Sequence, residues 1–188
     1  MKKILLLFVG TLLLCSCLYD RVTHMDEEDL KLLDVFEKDV FCFVSDSNEV
    51  DYLVVDSTQI RNSTSPWQKD ESTNEYIASG LLFYRIIHKG EIIYGSLYIE
   101  KKLEDSPVFF ELTLDDLFTG YEPLDPTTVP QDTTINDVKY NDCYVIDDRY
   151  ERSERMVDKV GLVYSFVWSK SKGLLQYKLK TGEVYTRK

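Results

Sequence analysis

From Asp39 onward, apolar side chains recur mainly at a two-residue step, broken at short intervals by polar turn residues, which predicts antiparallel strands. Val40–Ser45 and Val50–Val55 flank the polar turn Asp46-Ser-Asn-Glu49 and read as a hairpin. Tyr76–His88 and Glu91–Lys101 flank Lys89-Gly90, a tight-turn signal. In the second of these, Ile93, Gly95, Leu97 and Ile99 alternate with Ile92, Tyr94, Ser96 and Tyr98. With both faces largely apolar or aromatic, that strand is expected at the centre of the fold and covered on both sides. Val108–Leu114 continues the sheet, with Pro107 at its start. Lys139–Ile146, Val160–Trp168, Leu174–Lys180 and Glu183–Arg187 complete the pattern, with turns at Gly173 and Thr181-Gly182. Along one of them Val160, Leu162, Tyr164, Phe166 and Trp168 share a face and read as core.

Two polar stretches interrupt the strands. Ser57 to Glu75 is Ser/Thr-rich, with Pro66 and Trp67 in its middle. Gly120 to Asp137 holds Pro123, Pro126 and Pro130 without periodicity and is expected to be either a long functional loop or a seam between subdomains. One helix is expected, over Thr23 to Phe36. Thr23 is its candidate cap, Asp26, Glu27, Glu28 and Asp29 suit its positive end, and Leu30, Leu33 and Phe36 recur at a three-residue step. Alternation of Leu30, Leu32 and Phe36 also permits a strand. No internal repeat or low-complexity run is present.

The N-terminus follows a different pattern. Lys2 and Lys3 precede an apolar run, Ile4 to Leu14, and then comes Leu14-Cys15-Ser16-Cys17. As a helix that run is about 16 Å long, half of a hydrocarbon core of about 30 Å, so it reads as a targeting signal and not a membrane span. The tetrapeptide resembles the lipobox of bacterial lipoproteins, in which a small residue precedes the cysteine that is lipidated and becomes the first of the mature chain. Ser16 is small and Leu14 is bulky, so the resemblance implies Cys17 as the lipidated residue and a lasting anchor of two or three acyl chains. This divides the chain into a signal peptide (1–16), a lipidated tether (17–25) and one β-rich domain (26–188).

Cleavage before Cys17 leaves 172 of the 188 residues, removes Lys2 and Lys3, and moves the formal charge from -11 to -13. That is length enough for one domain with a core. The acidic balance argues against nucleic acid, and against the domain lying flat on anionic lipid. Outside the cytoplasm a disulfide persists, so Cys42 and Cys143, each within a strand-like run, are a candidate pair.

No pattern for catalysis survives its context. Ser169-Lys-Ser-Lys172 matches S-x-x-K and Lys180-Thr-Gly182 matches K-T-G. Here, however, they are neighbours in hairpin turns, with no S-D-N element. His24 and His88 are the only histidines, too few for a zinc site, and no nucleophile elbow accompanies His88. Asp115-Asp116, Asp147-Asp148 and Glu27-Glu28 read as solvated surface among 33 acidic residues. Asp46-Ser-Asn-Glu-Val-Asp51 offers oxygen ligands without the glycine or downstream Glu of a calcium loop. No metal or other cofactor is implied.

Asp56-Ser-Thr58 and Asp132-Thr-Thr134 resemble the acceptor pattern of general O-glycosylation in some Gram-negative envelopes, which makes Ser57 and Thr133 candidate glycosylation sites in expected loops. Trp67 is a candidate contact aromatic, either a lid over the core or an exposed anchor.

Val163-Tyr-Ser-Phe-Val-Trp-Ser-Lys-Ser-Lys-Gly-Leu-Leu-Gln-Tyr177 is similar to the closing hairpin of small, uncharacterised β-rich lipoproteins of Gram-negative bacteria, and Asn136 to Val145 resembles the strand before it. The resemblance implies a fold and an outer-membrane location, on the periplasmic or the surface side, but no activity. The expected fold is mainly β, an antiparallel sandwich or half-open barrel of about eight to ten strands with a short N-terminal helix. The expected function is non-catalytic: binding or scaffolding another envelope protein. The alternative is a carrier holding a lipid or acyl chain in the concavity of a curved sheet.

Overall fold

A computed structural model describes residues 21–36, 38–62, 69–70, 75–118, 130–147 and 162–188. Eleven strands form one antiparallel sheet, curled into a half-barrel. In chain order they are β2 (Val40–Ser45), β3 (Val50–Asn62), β6 (Ala78–His88), β7 (Glu91–Lys101), β8 (Phe109–Leu114), β9 (Leu117–Phe118), β10 (Gln131–Ile135), β11 (Val138–Asp147), β12 (Val163–Ser169), β13 (Gly173–Leu179) and β14 (Val184–Arg187). Across the sheet they run β10-β11-β12-β13-β14-β2-β3-β6-β7-β8-β9. A second sheet has three short strands, β1 (Arg21–Val22), β5 (Glu75–Tyr76) and β4 (Lys69–Asp70), in that order.

The hairpins follow their turn residues. Lys89 and Gly90 both take positive φ, as a two-residue hairpin turn with the right twist demands. Two pairings join distant segments. The C-terminal strand β14 lies against β2 (Tyr185 opposite Ser45), and β3 pairs with β6 along ten positions from Tyr52–Ile87 to Asn62–Ala78. The curl brings the two ends of the sheet together. The rings of Phe110 on β8 and Tyr144 on β11 meet edge-on, centroids 4.7 Å apart. Asp115, in the β8–β9 turn, accepts the backbone N–H groups of Leu162 and Val163.

The concave side is the core, and the N-terminal segment fills it. The expected helix over Thr23–Phe36 shortens to the single turn α1 (Glu27–Lys31), capped by Asp26 and not by Thr23. Asp26 and Asp29 form a reciprocal capping box. Thr23 is instead drawn to neighbouring chain, its N–H donating to the Tyr76 carbonyl and its hydroxyl to that of Lys102. Beyond α1 the chain turns into the half-barrel, burying Leu33, Val35 and Phe36. Phe36 is the centre of an aromatic cluster, with ring centroids 5.1 Å from Phe41 and 5.7 Å from both Tyr84 and Trp168. Two glycines make room for it. A Cβ on Gly173 would lie 2.6 Å from the Phe36 ring, and one on Gly95 would lie 2.3 Å from Tyr84.

Bulges rearrange the faces that simple alternation assigns. On β12 the pairing passes from Val163–Leu179 to Ser165–Lys178, leaving Tyr164 as an extra residue. Val163, Phe166 and Trp168 therefore face the core, while Leu162 and Tyr164 are exposed, so the expected stripe of Leu162, Tyr164, Phe166 and Trp168 is split, its first member Val160 lying outside the described residues. A matching shift opposite Val167 and Trp168 leaves Leu175 unpaired, so that Leu174 and Tyr177 both point inward. The second departure is on β7, which is interior to the sheet as expected but covered on one face only. Ile93, Leu97 and Ile99 are buried, whereas Ile92 and Tyr94 are open to solvent.

The long loop also shortens. Gln131–Ile135 is a strand, joined to β11 by Asn136-Asp137, both at positive φ. Those two residues are a two-residue hairpin signal hidden beside a segment with no apolar alternation.

Candidate functional site

Three features carry chemistry. The first is the outer face of β2, β3, β6 and β7, assembled by cross-strand register. One row runs Cys42, Tyr52, Ile87, Ile92, and the next runs Val40, Val54, Arg85, Tyr94. Tyr94 is 65% exposed, Tyr52 50%, Ile92 49% and Ile87 39%, with Val40, Val50 and Phe83 also open. Arg85 pairs with Asp56, and Lys89 with Glu49 at 2.6 Å, so the charges around these apolar rows largely cancel.

The second is a slot of about 280 Å³ where β8 approaches β11 beneath α1. Leu97, Val108, Phe110 and Trp168 are among its apolar walls, Tyr144 closes one side, and Glu28, Asp29 and Lys170 stand around its mouth. Asp29 is taken up by Lys101, whose ammonium lies 2.7 Å away. That pairing, foremost among the causes, holds the buried Lys101 above its ordinary pKa.

The third is a buried polar network at the far end of the core. His88 Nδ1 lies 2.8 Å from Asp51 Oδ2, and the Tyr177 hydroxyl donates to the same oxygen. Tyr185, stacked on Tyr177 at 5.1 Å, donates to Glu49, which Lys89 neutralises. Burial, reinforced by the neighbouring carboxylates, pushes both phenols well above their ordinary range, so they act as donors only. In the sequence His88 stands without a second histidine or a nucleophile elbow, and nothing there marks Asp51 and Tyr177 as its partners. The signal available was Asp51 and His88 at the ends of strands that pair, readable only once β3 is known to lie against β6.

The residues singled out from sequence are not brought together. Cys17 and Trp67 lie outside the described residues. Cys42 and Cys143 are free thiols. Their strands are separated by β12, β13 and β14, about 19 Å at the usual strand spacing, against less than 7 Å for a bridge. The expected disulfide is therefore corrected: Cys42 sits in the outer row opposite Tyr52, and Cys143 in a small cluster with Ile135, Val167 and Leu175.

Ser57 and Thr133 lie within strands β3 and β10, not in loops, each half-buried at a bulge. Ser169 and Ser171 both bond Asp142, which locks the β12–β13 turn. Burial pushes the Asp142 carboxyl up, but these bonds outweigh it and hold the pKa below the usual value. Asp51 and Glu49 of the candidate calcium turn are committed to the buried network.

Comparison with family models, with curated proteins and with solved structures gives no match for this chain. The reading of function therefore rests on these three features.

Proposed function

We propose that this protein is a lipid-anchored component of a Gram-negative cell envelope, held at the outer membrane through Cys17, that binds another envelope protein by the outer face of β2, β3, β6 and β7. The observation that carries the reading is the exposed row Tyr52, Ile87, Ile92 with Tyr94 beside it, on strands paired along both edges. The apolar area open there is on the order of 500–600 Å², at the top of what a monomer leaves uncovered and about two thirds of the roughly 800 Å² per partner of a standard interface. Cancelled local charge on a chain of net charge -11 suits a partner face that is apolar and charge-poor.

A non-catalytic role fits the burial of the one His–Asp–Tyr constellation among the described residues. His88 is 8% exposed, Asp51 1% and Tyr177 0%, which leaves a substrate no approach. The carrier alternative is weaker, because Phe36 and its aromatic neighbours occupy the concavity. The slot beside them, of about 280 Å³, has too little volume for a two-chain lipid.

The test is photo-crosslinking in the native host, with a benzophenone side chain at Tyr94 and, as control, at the exposed Val138 of β11. The expected result is one adduct of defined mass from position 94, none from 138, and its loss on Ile87→Glu. Equal labelling at both positions, or an adduct that survives Ile87→Glu, would overturn the reading. A doubled mass of the chain itself would replace the partner by a second copy. Cys17→Ser, in the same cells, is expected to move the protein from the membrane to the soluble fraction, and retention would sink the anchor.

A further inference from the structure

The slot between β8 and β11 has properties that a packing fault between sheet ends lacks. Tyr144 is 7% exposed and Trp168 2%, yet neither the Tyr144 hydroxyl nor the Trp168 indole N–H has a hydrogen-bond partner among the described residues. Buried polar groups normally find protein partners, whereas these two donors are left to solvent. Neither is among the sealed polar atoms of the molecule, the only one described being Asp116 Oδ1. Both residues line the slot, whose other apolar walls are Leu32, Leu97, Pro107, Val108 and Phe110.

The charges at the mouth are unevenly committed. Of the carboxylates nearby, Asp29 is bound to Lys101 and to the Asp26 N–H, and Asp142 accepts from Ser169 and Ser171. Lys170, in contrast, uses only its backbone N–H, which donates to the Asp142 carbonyl. Among the described residues its ammonium has no partner, and Lys170 lines the apolar slot together with Tyr144 and Trp168. Among the described residues, Glu28 is the carboxylate lining the slot without such a partner.

We propose that this slot binds a small apolar carboxylate: an acid whose aromatic or short aliphatic body fills the walls and whose carboxylate accepts from Lys170, Tyr144 and Trp168. A volume of about 280 Å³ holds a body of roughly ten to fourteen non-hydrogen atoms and excludes a long acyl chain. The same chemistry is presented by a free acid and by the apolar C-terminal residue of a peptide. The proposal is independent of the outer face, which lies on the opposite side of the sheet.

Calorimetric titration of the delipidated, otherwise intact mature protein tests it. Its probes are 3-phenylpropionate, the uncharged 3-phenylpropionamide, 2-phenylethylamine and N-acetylphenylalanine, the last standing for a peptide C-terminus. 3-Phenylpropionate is expected to saturate one site, with Kd in the range of about 10–500 μM for a ligand of this size. The amide and the variants Lys170→Gln and Tyr144→Phe should each bind about tenfold more weakly, and Tyr144→Phe removes only a hydroxyl from the fold. Glu28→Gln should tighten binding two- to threefold, because it removes the opposing charge. Tighter binding of N-acetylphenylalanine than of phenylpropionate assigns the slot to a peptide terminus, and the reverse to a free acid; either supports the proposal. No saturation by either acid, equal affinity for the amide, or preference for the amine would overturn it, whatever the crosslinking result at Tyr94.

Discussion

Replacing Asp51 by Ala is expected to destabilise the fold by about 3–5 kcal/mol, a large share of the 5–15 kcal/mol that holds a domain of this size. The reason is where the lost carboxylate sits. Asp51 is 1% exposed, and its Oδ2 accepts from both His88 on β6 and Tyr177 on β13. Truncation leaves the imidazole and the phenol buried with no acceptor, and burial keeps that phenol protonated, so it cannot escape by ionising. Tyr177→Phe removes one donor and leaves Asp51 with His88, so it should cost only about 1 kcal/mol. Asp51→Asn retains one acceptor oxygen and should fall between the two. Urea unfolding followed by far-UV circular dichroism ranks the three. A loss below 1 kcal/mol for Asp51→Ala would mean that the network is hydrated in solution and not a structural tie. If the triple change Asp51→Leu, His88→Leu, Tyr177→Phe restores stability, the cost lay in unmet polar groups and not in lost volume.

The second large effect is expected at Phe36. Its ring touches Phe41, Tyr84 and Trp168 from a segment with no regular secondary structure, and it closes the concavity of the half-barrel. Phe36→Ala removes the ring from positions that belong to different strands and cannot collapse inward together, so a cost of about 3–5 kcal/mol follows. Phe36→Leu fills most of the space and should cost about 1–1.5 kcal/mol. Since α1 and residues 33–36 are held mainly by this plug and by Lys101, amide exchange of Leu33 and Val35 should accelerate in Phe36→Ala more than that of β6 or β7. Uniform acceleration across the sheet would show that the N-terminal segment unfolds only with the whole barrel.

The two effects differ in how far the sequence could announce them. Phe36 was read as an apolar position on a helix, and it is indeed core, but through an irregular chain and not a helical face. The regular helix ends at Lys31, and from there Leu33, Val35 and Phe36 are buried in the concave sheet by irregular chain. Asp51 was read as part of a polar turn, because a carboxylate in an acidic hexapeptide looks solvated until its cross-strand neighbours are known.

What the amino-acid sequence determined by itself is local. Alternation, the Lys89-Gly90 and Thr181-Gly182 turns and the polar Asp46–Glu49 link specified the hairpins β2–β3, β6–β7 and β13–β14 within a residue or two at most ends, because turn chemistry and a two-residue period act over a few bonds. The composition and the alternation together marked a mainly β fold, but not that β7 is covered on one face only. Tertiary structure alone decided the rest. The pairing of β14 with β2 and of β3 with β6 made one curled sheet of what were separate hairpins. Bulges on β12 and β13 moved Tyr164 out and Tyr177 in, since one added residue reverses every side chain beyond it. The outer face, the slot and the Asp51 network each draw on residues far apart in the chain, and only the sheet order brings them within reach of one another.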